Sequence, residues 1–208
     1  MVWEKMLVQK RDGALNEHQI AGKSVLVGTA YLEMVLEAVK QHSTANTFEF
    51  AEIMFHQPMI LDEGEERKVQ IFIRKEGEDN RFEIYSYEEE QVVKNVEGTI
   101  REYVGKTPEV RNIVSIKDRC HKDAFVPDLL HLQDSYLKFG PHWDNIKSIC
   151  VGEEETISEI QLNKMVQKEL KNYVIHPVIL DNALAHEDVR EKITYMPYMY
   201  RNIKVLGT

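Results

Sequence analysis

Two ionisable side chains stand beside the most apolar segments of the chain, and together they could perform acid–base chemistry. His18 lies shortly before a nearly all-apolar segment that begins at Gly28, and Asp181 follows Leu180 within HPVILDNALA, residues 176–185. A neutral imidazole can remove a proton and a protonated carboxyl group can donate one. Each residue also has an ordinary interpretation, His18 as a capping or loop residue and Asp181 as an acid at a helical turn.

A buried helix is predicted next to each of these side chains. The segment from Gly28 has a narrow polar stripe of Glu33, Glu37 and Lys40, with apolar side chains around the remainder. A helix that is apolar over most of its circumference is surrounded by other structure. A second helix is predicted to begin at Pro177, because proline suits the first helical turn. Apolar side chains again surround this second helix: Val178, Ile179, Leu180, Ala183 and Leu184.

Strand-like alternation of apolar and polar residues follows the first helix. Short polar connectors separate these segments and favour antiparallel pairing of neighbouring strands. The strand-like segments are residues 47–61, 67–75, 81–89 and 92–104. A curved antiparallel sheet around one buried helix is the hot-dog arrangement. Residues 1–104 are therefore predicted to form an N-terminal hot dog that supplies His18.

A second unit is predicted after a linker at residues 105–112, where turn residues and Pro108 interrupt the pattern. Residues 113–208 are predicted to form a C-terminal hot dog that supplies Asp181. Its predicted elements before Pro177 are a helix at 128–139, strands at 145–151 and 155–162, and a helix at 163–172. The residues after the second buried helix suffice for about two strands. The second sheet is therefore expected to be incomplete, unless the chain is cut short or another chain completes the sheet.

The predicted fold class is α+β, a double hot-dog with two curved antiparallel sheets, each wrapped around a buried helix. The net charge of −9 and the lack of a basic stripe exclude nucleic-acid binding. Cys120 and Cys150 are too few for a disulfide framework or a zinc site, which indicates a reducing compartment. The sequence has neither a signal peptide nor the ~20 consecutive apolar residues of a membrane helix. We therefore expect a cytoplasmic protein that does not bind membranes.

Three motifs resemble those of the dehydratase domains of modular polyketide synthases, and the resemblance covers essentially the whole chain. His18, Gly22 and then Val27 stand where those domains carry H-x-x-x-G-x-x-x-x-P. The segment FGPHW, residues 139–143, corresponds to Y-G-P-x-F, and residues 176–185 correspond to H-P-x-x-L-D-x-x-L-Q or a close variant. The three motifs occur in the family's order and on the predicted elements.

The resemblance implies that water is eliminated from a β-hydroxyacyl thioester. His18 would remove the α-proton and Asp181 would protonate the departing hydroxyl group from the opposite side of a tunnel. Burial favours the uncharged form of both side chains. The backbone amide of Gly28, next to Val27, would bind the thioester carbonyl where enolate charge develops, and Gly22 would allow the turn between base and helix.

The resemblance also implies the substrate tunnel and the partners. The residues expected in the tunnel wall are Phe139, Pro141, Trp143 and Ala185. The acyl chain would arrive on the phosphopantetheine arm of an acyl carrier protein, and neighbouring synthase domains would be further partners. A homodimer is compatible with the family. No cofactor and no metal are implied, because acid–base chemistry beside a thioester needs neither.

Three positions depart from the family pattern. Val27 replaces proline, Phe139 replaces tyrosine, and Ala185 replaces the glutamine or histidine one helical turn after Asp181. Because positions i and i+4 share a helix face, the side chain lost at 185 is one that would orient the carboxyl group. The pattern is similar to that of pyran synthase domains of trans-acyltransferase polyketide synthases, which close a cyclic ether by oxa-Michael addition. Ring closure is the predicted reaction; ordinary dehydration, a double-bond-shifting isomerase that uses His18 alone, and a non-catalytic scaffold or docking element stay open.

Overall fold

In the computed structural model of the protein, strands make up most of the regular structure. The structure describes residues 1–8, 13–62, 64–89, 91–120, 122–125, 136–184 and 196–207. In chain order the elements are β1 (Val2–Val8), β2 (His18–Ile20), β3 (Lys23–Val25), α1 (Gly28–Lys40), β4 (Thr47–Phe55), β5 (Ile60–Leu61), β6 (Glu66–Glu76), β7 (Asp79–Glu88), β8 (Gln91–Glu102), α2 (Ile113–Arg119), β9 (Lys122–Phe125), β10 (Leu137–Phe139), β11 (Ile146–Val151), β12 (Thr156–Ile160), α3 (Lys164–Glu169), α4 (Pro177–Leu184) and β13 (Met199–Leu206). Three 3-10 turns cover Gly13–Asn16, Pro141–Trp143 and Leu170–Asn172.

A six-stranded antiparallel sheet forms the largest layer, in the order β1-β6-β7-β8-β4-β13. The alternating segments predicted as strands form β4, β6, β7 and β8, and β6, β7 and β8 are neighbours, as the short connectors predict. Along β6, Val69, Ile71 and Ile73 point to one face and are buried. This alternation gives the sheet one apolar face, and that face packs against α1.

The helix α1 is buried over most of its circumference, as its sequence predicts. Nine of its 13 residues are buried, and Val35, Leu36 and Ala38 are fully inaccessible. The expected polar stripe needs one correction, because Glu33 is buried and only 5% exposed. Its carboxylate accepts hydrogen bonds from a loop of the second half, a contact that the helical period alone cannot reveal.

The two halves of the chain share the large sheet. The strand β13 follows α4 and pairs antiparallel with β4, the strand that follows α1. Each half thus contributes the strand that follows its apolar helix, and these two strands are neighbours in the large sheet. Residues 105–112, the predicted linker, are exposed and contain neither helix nor strand. The division at this linker stays a prediction, and β13 joins a sheet that is otherwise built from the first half.

Before α4 the second half forms one three-stranded sheet and adds the strand β10 to a four-stranded sheet with β2, β3 and β5 of the first half. The strands predicted at 145–151 and 155–162 are confirmed as β11 and β12, which form a three-stranded sheet with β9. The helix predicted at 128–139 is wrong at its end, where Leu137–Phe139 is the strand β10. This segment is extended because it pairs with β2, a partner distant in sequence; residues 126–135 lie outside the described part. In α4, Val178 is 1% exposed and Leu184 is 48% exposed, so the described residues cover this helix on one side only.

Candidate active site

A cavity of about 380 Å³ lies between the two halves and contains most of the predicted site residues. Its wall includes His18 from β2, Gly28 from the start of α1, and Asp181 from α4, together with Val27 and Phe139. The elements that the sequence associates with the two ionisable groups therefore converge on one space. An imidazole and a carboxyl group share one mainly apolar cavity.

The hairpin of β2 and β3 positions His18. Its two-residue turn consists of Ala21 and Gly22, both with positive φ (51° and 78°), which is the backbone geometry of a tight hairpin turn. The hairpin brings the carbonyl oxygen of Val25 to 2.9 Å from Nδ1 of His18. A carbonyl oxygen can only accept a hydrogen bond, so Nδ1 is the protonated nitrogen. The neutral imidazole therefore keeps its basic lone pair on Nε2.

Two aromatic rings surround the imidazole of His18. The ring of Trp143 stacks on it with centroids 5.7 Å apart and an interplanar angle of 30°. The ring of Phe139 lies at the same centroid distance and is tilted by 51°. Phe139 reaches this place because it pairs with His18 in the β2–β10 ladder. These contacts leave the imidazole little freedom to rotate.

Asp181 receives a hydrogen bond from Trp143, the tryptophan that stacks on His18. The indole Nε1 of Trp143 donates a hydrogen bond to Oδ2 of Asp181 at 2.8 Å. Burial raises the pKa of the Asp181 carboxyl group, while the nearby His18 and the Trp143 hydrogen bond oppose this rise. Desolvation is the largest of these effects, because the charged form loses its water in this apolar space. The carboxyl group is thus suited to hold a proton and donate it.

Two buried polar contacts tie α1 to the start of α4. The Thr29 hydroxyl donates to the carbonyl oxygen of Pro177 at 2.8 Å. The Glu33 carboxylate accepts from the amides of Val174 and Ile175 at 2.8 and 2.7 Å. Burial raises the pKa of Glu33, and the two amides counteract this rise. These contacts fix the helix that carries the acid relative to the helix beside the base.

The start of α1 presents backbone to the cavity. A Cβ atom on Gly28 would lie 3.2 Å from Cγ of Pro197 and 3.4 Å from the ring of Phe55, so glycine lets these walls approach the first helical turn. Val27 precedes the helix and has no side-chain cap, with φ −63° and ψ 141°. This φ is the value that a proline ring imposes. The replacement of proline by Val27 therefore leaves a proline-like backbone.

A buried chain of ionisable groups lies behind the aromatic rings. The His142 ring stands between Glu17, with Nδ1 at 2.7 Å from its carboxylate, and Glu169, with Nε2 at 3.3 Å. Nε2 of His176 is also 3.3 Å from Glu169. The hydrogen bond with Glu17 raises the pKa of His142 and outweighs the opposing effect of burial. Burial lowers the pKa of His176. Both histidines thus have local carboxylate partners.

Two predicted tunnel residues, Pro141 and Trp143, lie elsewhere than expected, and a third, Ala185, cannot be placed. Pro141 is exposed and starts a 3-10 turn, so it is not a tunnel residue. Trp143 is 1% exposed and lies behind the cavity wall rather than on it. Gly22 acts through its turn and is exposed. Ala185 lies outside the described residues.

Several residues of the cavity wall are not predicted by any sequence motif. His56 and Gln57 reach the cavity from the segment after β4, and the Tyr31 hydroxyl accepts from the Met59 amide at 3.2 Å next to it. No motif marks these residues, because their position depends on the curvature of the large sheet. Within the described ranges, no group of three or more His, Cys, Asp or Glu could hold a metal ion. Among the same residues, no helix is long and apolar enough to cross a membrane.

Two family models match the chain. A model described as a polyketide synthase dehydratase domain matches residues 1–87, and a model described as a polyketide synthase dehydratase N-terminal domain matches residues 130–185. Together they cover more than half of the chain, and they include His18 and Asp181. The polyketide synthase PksM of Bacillus subtilis (strain 168) is 24% identical over 182 residues. The aligned region is 81% of this chain but only 4% of that synthase, so the chain spans a small part of its relative.

Solved structures confirm the predicted double hot-dog fold. A dehydratase domain of a trans-acyltransferase polyketide synthase from Brevibacillus brevis is similar with a TM-score of 0.84 and 21% identity, covering 97% of this chain and 76% of that one. The dehydratase domain of the CurF module of the curacin polyketide synthase gives a TM-score of 0.79 and 23% identity, covering 88% and 68%. At these identities the likeness establishes the shared architecture.

Proposed function

Because the chain belongs to the family of polyketide synthase dehydratase domains, we propose that it removes water from a β-hydroxyacyl thioester carried by an acyl carrier protein. The likeness to a domain of a trans-acyltransferase synthase supports a synthase of that type. The proposed partners are the carrier protein with its phosphopantetheine arm, neighbouring synthase domains and, in a homodimer, a second copy of the chain.

One observation carries this proposal: His18 and Asp181 line the same cavity, and one atom of each is held by a hydrogen bond. Nδ1 of His18 is held by a carbonyl oxygen, which only accepts, and Oδ2 of Asp181 by an indole N–H, which only donates. The carbonyl of Val25 leaves Nε2 of His18 as the base. Burial raises the pKa of Asp181 and so favours a proton on the carboxyl group. A base with its lone pair on Nε2 and an acid whose protonated form is favoured by burial are the two groups that elimination requires.

The proposed reaction moves two protons. Nε2 of His18 removes the α-proton, and the electrons of that C–H bond shift toward the thioester carbonyl, where the Gly28 amide donates to the developing oxyanion. The bond between the β-carbon and its oxygen then breaks, and Asp181 protonates the departing hydroxyl group to give water. An enoyl thioester, an imidazolium and a carboxylate result. Proton exchange with solvent restores the two side chains.

Ring closure by oxa-Michael addition is the second candidate, and the absence of a hydroxyl group at Phe139 favours it. In this reaction His18 takes the proton of a distal hydroxyl group as that oxygen attacks the β-carbon of an enoyl thioester. Asp181 positions the hydroxyl group or returns a proton to the α-carbon. No hydroxide leaves, so the acid needs less support. The Trp143 hydrogen bond to Asp181 supplies support that the sequence departures suggested was missing, and this contact shifts the balance toward elimination.

Two carrier-bound substrates separate these reactions. One is a 3-hydroxyacyl chain, and the other is a 2-enoyl chain with a distal hydroxyl group, each analysed by intact mass and by chromatography of the released acid. Elimination predicts that the first substrate loses one water and that Asp181→Asn abolishes this loss. Cyclisation of the second at unchanged mass, with no water loss from the first, would establish the cyclase instead. Inertness toward both, in a folded protein, would contradict either reaction and favour a scaffold.

A further inference from the structure

We propose that Trp143 is the positioning residue of the acid, which holds one oxygen of the Asp181 carboxyl group and leaves the other for the substrate. The inference rests on the proposed function of the cavity. The indole Nε1 lies 2.8 Å from Oδ2 of Asp181, and the tryptophan is 1% exposed. A contact of this length from a buried donor is a directional hydrogen bond.

The polarity of the indole determines which oxygen of Asp181 carries the proton. An indole N–H donates and cannot accept, so Oδ2 is the acceptor whether the carboxyl group is charged or neutral. Because the carbonyl oxygen of a neutral acid is the better acceptor, this donor favours the proton on Oδ1. The same logic holds for His18, where the Val25 carbonyl places the proton on Nδ1. Each reacting group is thus anchored at one atom and reactive at the other.

The same indole also restrains the base. Its ring stacks on the imidazole of His18 at 5.7 Å while its N–H binds Asp181. One rigid side chain therefore contacts both reacting groups and sets their separation. A phenylalanine at this position would keep the ring contact and lose the hydrogen bond.

Buried asparagines hold Trp143 itself in place. Its carbonyl oxygen accepts from the amide of Asn145 at 2.9 Å and from Nδ2 of Asn182 at 3.3 Å. Nδ2 of Asn145 in turn donates to Oδ1 of Asn182 at 2.9 Å. Asn182 directly follows Asp181 on α4. The turn that carries the indole is thus locked to the helix that carries the acid.

This contact supplies the orienting role that the sequence departures removed. Phe139 lacks the hydroxyl group and Ala185 lacks the polar side chain that would support the acid. Trp143, which stands where the Y-G-P-x-F motif has phenylalanine, brings an N–H donor to the acid. The acid is therefore supported by a substituted contact rather than left unsupported.

The titration of Asp181 tests the inference without any substrate. The variants are Trp143→Phe and, as the matched control, Trp3→Phe, which changes the chain's other tryptophan, on the edge strand β1. The ¹³Cγ signal of Asp181 is identified by its absence from Asp181→Asn and followed with pH. Loss of a donor to the charged form raises the carboxyl pKa, so the midpoint should be higher in Trp143→Phe than in the control. The titratable groups that share the cavity, and that both variants retain, are His18, His56, Tyr31 and Tyr200. Equal midpoints in the two variants would overturn the inference.

Kinetics and fluorescence complete the test. In Trp143→Phe we expect kcat for water loss to fall on the order of 10- to 100-fold with little change in KM. The fall of kcat on the alkaline side of its pH profile should begin at a higher pH, because the acid keeps its proton longer. A lower kcat with an unchanged pH profile would show a structural role only.

If Trp143→Phe does not fold, the fluorescence of Trp143 provides the test. Its emission in the Trp3→Phe background should change with pH in a step that Asp181→Asn removes. Persistence of that step in Asp181→Asn would contradict the contact. Failure of the wild type to act on any substrate would refute the proposed function but would leave the NMR result in force.

Discussion

Replacing Thr29 by valine should lower both the stability and the catalytic activity, because it removes a hydrogen bond between α1, beside the base, and α4, which carries the acid. The Thr29 hydroxyl donates to the carbonyl oxygen of Pro177 at 2.8 Å, and the threonine is 1% exposed. Valine has nearly the same shape, so the variant removes the hydrogen bond without opening a cavity. Pro177 is the first residue of α4, and Asp181 follows one helical turn later.

The expected loss of stability is modest. A neutral buried hydrogen bond contributes about 1 kcal/mol net to the free energy of unfolding. For a chain of this size, that loss lowers Tm by roughly 2–4 °C. The effect on activity should be larger, because a shift of about 1 Å in a catalytic group can reduce the rate on the order of 100-fold. We expect kcat to fall by at least about 10-fold with KM little changed.

A second threonine provides the matched control. The Thr47 hydroxyl donates to the carbonyl oxygen of Tyr103, also at 2.8 Å, in the large sheet and outside the cavity wall. Thr47→Val should lower Tm by a similar or smaller amount and leave kcat unchanged. Thermal unfolding and carrier-bound 3-hydroxyacyl turnover would be measured for both variants. If Thr29→Val loses stability but is as active as Thr47→Val, the hydrogen bond from Thr29 to Pro177 does not position the acid.

Three further variants test other parts of the account. Gly22→Ala and its control Gly64→Ala meet the same strain at φ 78° and 79°, so each should cost about 1–2 kcal/mol, but only the hairpin variant should lower kcat. Val27→Pro should fold and stay active with a stability change below about 1 kcal/mol, because φ is already −63°; an unfolded or inactive variant would contradict this. Asp181→Asn should raise Tm at neutral and alkaline pH. The raised pKa of Asp181 means that the acid stabilises the fold below its unfolded pKa and loses this contribution as pH rises through the folded pKa. A Tm difference that shrinks with rising pH would show that the sign is wrong.

Local patterns in the sequence predict the elements whose partners are close along the chain. The alternation in β6, β7 and β8 and the apolar circumference of α1 each follow from the burial of one face or one helix. The hot-dog arrangement follows from combining them. His18 and Asp181 are predictable because each adjoins a buried helix and matches a motif.

Contacts between distant segments account for what the sequence does not predict. The strand Leu137–Phe139 is extended because β2 offers an edge to pair with, although its own residues also suit a helix. Glu33 lies in a polar stripe by period, yet it is buried because two amides of the other half need an acceptor. Ala21 shares the hairpin turn with a positive φ, which composition does not indicate.

The support of the acid shows the same limit most clearly. Sequence motifs compare position with position, so Phe139 and Ala185 register as losses. They register Trp143 only as a replacement of phenylalanine, and they cannot show that its indole donates a hydrogen bond to Asp181. The number of retained motif residues therefore underestimates how well the acid is held.

The most direct test of the central claim measures water loss from a carrier-bound 3-hydroxyacyl thioester by intact mass. It compares the wild type with His18→Ala and with His42→Ala, a control at an exposed histidine just after α1. The proposed mechanism predicts water loss in the wild type and in His42→Ala, and none in folded His18→Ala. Water loss that continues in His18→Ala at the wild-type rate would contradict the assignment of the base and with it the proposed function.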